Sequence, residues 1–140
     1  MTYIEIKGRK VPLIYTTFEM KLIQEEIGQI SRAISLVTGR NPDDEKDRSK
    51  YAGAEHLGAV AKMIRILGNA GLEENGEEAN LTEKMILRAL RPADLANVIN
   101  SCMEAMNEGM RSEIPPKKDE PGKKVDVTLE EIEKKKETES

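Results

Sequence analysis

The sequence predicts a mainly α-helical domain of four to five helices, preceded by a short N-terminal β-hairpin, over residues 1–111, with a disordered charged tail over 112–140. Three observations point there. Aromatic residues make up 3% of the chain, with no Trp and Phe18 as the single Phe, so the core is built from Leu, Ile, Val, Met and Ala, a palette that favours packed helices. Apolar residues recur at helical spacing through most of the first 111 positions. Beyond them the composition turns to Lys, Glu, Asp and Pro, with Ile114, Val125, Val127, Leu129 and Ile132 as the large apolar residues. Such a segment buries too little to offset the entropy lost on ordering.

The elements follow in order. Tyr3 to Lys7 alternates polar and apolar, Gly8-Arg9 supplies a turn, and Val11, Leu13 and Tyr15 alternate again, which predicts the hairpin. Pro12 lacks an N–H, so its arm is expected to be an edge or partly paired. Thr16 with Glu19 has capping-box spacing, and Phe18, Leu22, Ile23 and Ile27 continue as a helix that Gly28 ends. Ile30, Ala33, Ile34 and Val37 carry the spacing to Gly39, as a second short helix or the same one bent. Residues 40–50 are charged and turn-forming, an exposed loop.

Leu57, Val60, Ala61, Ile64 and Leu67 mark an amphipathic helix, read as closing at Gly68-Asn69-Ala70-Gly71, with an acidic loop from Glu73 to Asn80. Asn80 and Glu83 resemble an N-cap for a short helix carrying Leu81, Met85, Ala89 and Leu90. Pro92 interrupts it and opens the next. That last helix has apolar positions Leu95, Val98, Ile99, Cys102, Met103, Met106 and Met110, and Pro115-Pro116 stops it. In the tail, Thr128 to Ile132 carries a capping box and the apolar pair Leu129 and Ile132, the look of a segment that folds on a partner.

Charge and composition exclude several function classes. With 22 Lys and Arg against 26 Asp and Glu, the chain carries a net charge of −4 and no clustered basic stripe, which argues against nucleic acid as a main partner. Cys102 is the single cysteine, so no intrachain disulfide forms and a reducing cytoplasm fits. No uncharged run approaches the ~20 residues a membrane span needs, and the N-terminus lacks a signal-peptide pattern, so a soluble, cytoplasmic protein is expected.

Catalytic, metal and cofactor sites are not expected. His56 is the single histidine and has no ligand or nucleophile at useful spacing; it reads as a partly exposed helix residue, and Cys102 as a buried structural one. Asp43, Glu45 and Asp47 alternate like the start of a calcium loop, but the positions requiring Gly and a bidentate Glu hold Arg48 and Ala54. Gly68 and Gly71 follow a helix instead of opening one, unlike a phosphate loop. The acidic pairs Glu25-Glu26 and Glu73-Glu74 lie on polar faces, with no apolar pocket to raise a pKa. Met103, Met106 and Met110, at i, i+3 and i+7, fit two roles: core filler, or a flexible polarizable face for an apolar partner.

The order of these features resembles the tail assembly chaperones of long-tailed bacteriophages and prophages. The resemblance rests on the hairpin Tyr3 to Leu13, the following Thr16 to Gly28 with Phe18, Leu22 or Ile23, and Gly28 spaced in the family's manner, and then three or four helices and a charged tail. It covers residues 3–111 as an architecture. It implies a non-enzymatic protein that coats the helical, aggregation-prone tape measure protein and helps recruit tail tube subunits. Work of that kind needs an exposed, adaptable apolar face, and Met103, Met106 and Met110 are the residues expected to supply it; Leu129 and Ile132 of the tail are expected to bind a partner on their own pattern. A structural head-tail or tail connector subunit of a virion is the alternative from another class, and homo-oligomerisation stays open under either.

Overall fold

A computed structural model describes residues 1–40 and 53–111. The charged tail expected over 112–140, and most of the loop expected over 40–50, including the Asp43, Glu45 and Asp47 positions, lie outside the described residues. The fold is mainly helical with an N-terminal antiparallel hairpin, and Met1–Met110 form one unit.

Strands β1 (Thr2–Ile6) and β2 (Arg9–Leu13) pair with Ile6 opposite Arg9 and Thr2 opposite Leu13. The turn is Lys7-Gly8, one residue earlier than the sequence reading, with φ of 53° and 78°. Two consecutive left-handed residues are the mark of a type I′ turn, whose twist matches that of the strands. The two-residue loop makes Ile6 and Arg9 a hydrogen-bonded pair, so by alternation Tyr3 and Pro12 form a non-hydrogen-bonded one. Pro12 therefore sits where its missing N–H costs the ladder nothing.

Helix α1 (Thr17–Glu26) begins as expected: the Glu19 carboxylate accepts from the Thr16 backbone N–H at 2.9 Å and from the Thr16 hydroxyl. Glu19 is buried by this role. Gly28, at φ 142°, breaks the chain, and α2 (Ile30–Val37) is a separate helix. It ends in a Schellman motif, with Gly39 N–H donating to Leu36 and Arg40 N–H to Ser35.

The largest correction concerns α3 (Ala54–Glu74), which runs straight through Gly68 and Gly71. Its stop is Gly76, left-handed at φ 74°, with a second Schellman pair from Gly76 N–H to Glu73 and Glu77 N–H to Leu72. The internal glycines are there for close approach. A Cβ at Gly71 would stand 1.8 Å from the Pro12 carbonyl oxygen, and one at Gly68 would stand 2.7 Å from Leu81 Cδ1 and 3.1 Å from Val11 Cγ1. Helix α3 is buried on nearly every side, at Ala59, Val60, Ala61, Met63, Ile64, Ile66, Leu67 and Leu72 among others. It packs against β2, α1, α2, α4 and α5, where α4 is Glu83–Ala89 and α5 is Leu95–Gly109.

Asn69, read from sequence as part of a helix stop, is a bracket. Its Oδ1 accepts from Leu81 N–H at 2.9 Å and its Nδ2 donates to Leu81 C=O at 3.2 Å, tying the loop back onto α3. The cap of α4 is Thr82, whose hydroxyl accepts from Met85 N–H at 3.1 Å. Asn80, the expected cap, instead accepts from Arg9 at 3.0 Å. Leu81 and Ile86 occupy the N′ and N4 positions of a hydrophobic staple, and both are buried. Pro92 opens a single 3-10 turn, Pro92–Asp94, that leads into α5.

Two substitutions in α3 are expected to act in opposite directions on stability. Gly71→Ala drives a methyl into a backbone carbonyl that has no rotamer to yield, and should lower stability by about 2 kcal/mol or more. Gly58→Ala, with nothing within 4 Å of the added carbon, should raise it by about 0.5–1 kcal/mol through helix propensity. Denaturant midpoints read both, and equal effects would refute the close-approach role of Gly71. In the turn, Lys7→Asn places a residue tolerant of positive φ where Lys is strained, and should raise the midpoint by the equivalent of about 0.5–1 kcal/mol.

Candidate functional site

The residues singled out for protein binding come apart in the structure. The buried face of α5 is centred on Val98, Cys102, Ala105 and Met106, which follow at i, i+4, i+7 and i+8. Met106 is 6% exposed and belongs to the core, which corrects its assignment to an open face. Met103 is half-buried, packed against the core from its flank together with Leu95 and Ile99. Met110, at the C-cap, is 73% exposed. Leu129 and Ile132 lie outside the described residues.

The placement of Met110 has a local cause. Near its end, α5 crosses the start of β1: the Thr2 hydroxyl donates to Glu108 Oε1 at 2.9 Å, and the Met1 amino group lies 3.8 Å from Glu108 Oε2. Gly109 presses against Tyr15, since a Cβ there would stand 2.1 Å from the Tyr15 carbonyl oxygen. The helix is thus drawn tight against the chain at 108 and 109, and the next residue passes the edge of the packed layer. Met1 is exposed at the same end, joined to α5 through Glu108.

Phe18, which continues the apolar spacing of α1 in the sequence, is 61% exposed. The buried stripe of α1 is set by Glu19 and Ile23, and Phe18 is five residues from Ile23, about 140° around the helix. Tyr3, also exposed, is overlain by the Lys10 ammonium at 4.2 Å from its ring centroid, a cation–π contact that shields one ring face.

Neither His56 nor Cys102 is arranged for chemistry. His56 is buried, where partial exposure was expected, and its Nδ1 lies 2.5 Å from the Leu36 carbonyl oxygen. A carbonyl only accepts, so Nδ1 carries the proton, and the ring ties α3 to the C-terminal turn of α2. The Arg32–Glu55 ion pair, at 3.5 Å, spans the same two helices. Cys102 is fully buried among apolar neighbours, and burial pushes its thiol up to about 12. A thiol held protonated is a poor nucleophile and a poor metal ligand. Among the described residues no group of His, Cys, Asp or Glu converges as a metal site, and no helix is long and apolar enough to cross a membrane.

No family model matches the chain, and no curated protein or solved structure matches it.

The buried thiol makes stability depend on alkaline pH. In the unfolded chain Cys102 titrates near its ordinary value of 9.0, in the fold near 12, so the fold alone retains the proton between them. Stability is therefore full below pH 9 and falls as pH rises toward 12, at a slope approaching about 1.4 kcal/mol per pH unit for one group. Tyr15, raised by desolvation, adds to the loss above pH 10. Equilibrium unfolding from pH 8 to 11 should be less steeply pH-dependent in Cys102→Ala than in the parent, whatever the baseline cost of the cavity.

Proposed function

We propose that this chain is a tail assembly chaperone of a long-tailed phage or prophage, a non-catalytic cytoplasmic protein that binds the tape measure protein and helps recruit tail tube subunits. The observation that carries the reading is the order of its parts. A short hairpin precedes a helical body whose last helix ends with an open methionine, Met110, directly before a densely charged segment. Each part has a physical role in such work. An unbranched thioether adapts to varied apolar side chains on a long helix, whereas a rigid pocket would select one of them. Charges that follow it in the sequence keep the assembly in solution while apolar surface is held. Within this reading Met103, flanking the same helix, extends the contact. Met106 supports it from beneath by fixing α5 to the core.

Co-expression with the tape measure protein encoded alongside it is expected to keep that protein soluble and to yield a complex on affinity purification. Met110→Glu should weaken capture by about tenfold or more, the scale of losing one apolar anchor, while leaving the thermal midpoint within about 2 °C. Absence of a complex with the parent chain under those conditions sinks the proposal. Unchanged capture by the Met110→Glu protein moves the contact away from the end of α5.

A further inference from the structure

We draw no further inference here: the strongest candidate, the exposed apolar patch at the C-terminal end of α5 where Met110 emerges beside the start of β1, belongs to the site already described, and nothing in the structure shows what covers it.

Discussion

The seating of the hairpin on α3 is the contact from which the rest of the fold is organised. A helix buried on nearly every side needs partners all round, and the strand β2 supplies one of them at backbone distance. The missing side chain at Gly71 leaves room for the Pro12 carbonyl, and the one at Gly68 leaves room for Val11 and Leu81. Just beyond the strand, Ile14 N–H donates to Leu67 C=O at 3.1 Å, so the chain is fastened to a carbonyl of α3 as it leaves the sheet. Val11 and Leu13 are thereby pressed onto the same helix that α1, α2, α4 and α5 surround. Polar groups then fix the periphery. Asn69 holds the backbone at Leu81, Arg9 reaches Asn80 and the Glu78 carbonyl, and Arg65 joins Glu26 of α1 to Glu83 of α4. Arg65 is partly exposed, so its pairs guide geometry more than they add stability.

This centre leaves little apolar surface to spare. The core is aliphatic and closed around α3, and among the described residues the large apolar side chains left exposed are Met1, Tyr3, Phe18, Leu87 and Met110. That distribution bears on the functional reading. A protein that holds other chains through a broad greasy groove would show contiguous open apolar positions along a helix. Here α5 spends most of its apolar face on the core and leaves Met110, at its C-cap, exposed.

Much of the fold was legible in the sequence because it rests on local chemistry. The Thr16–Glu19 capping box, the break at Gly28, the Gly39 stop and the long period through Val98 and Cys102 are each decided within a few residues, and period and cap agree. What was not legible depends on contacts distant in sequence. A glycine inside a helix looks the same locally whether it stops the helix or admits another backbone. Only Pro12, 59 positions earlier, distinguishes the two at Gly71. Asn69 likewise reads as a breaker until Leu81 is placed beside it. His56 can be buried because the carbonyl of Leu36, across a segment of charged residues in the sequence, accepts a hydrogen bond from its ring. Among the site residues, helical spacing alone placed Met103, Met106 and Met110 on one side of α5. It carried no information on where the hairpin would stop covering that side, which is what separates the buried Met106 from the open Met110.

Because the second strand lies in gaps that glycines leave in a central helix, the first fifteen residues are not an ornament attached to a self-sufficient bundle. Stripping them away would leave α3 with a bare backbone groove and unshielded aliphatic side chains where Val11, Leu13 and Tyr15 had been, and α5 would lose the strand it leans on. Trimming at this end therefore uncovers apolar surface of the central helix itself, so its cost falls on the whole domain and not on the hairpin alone.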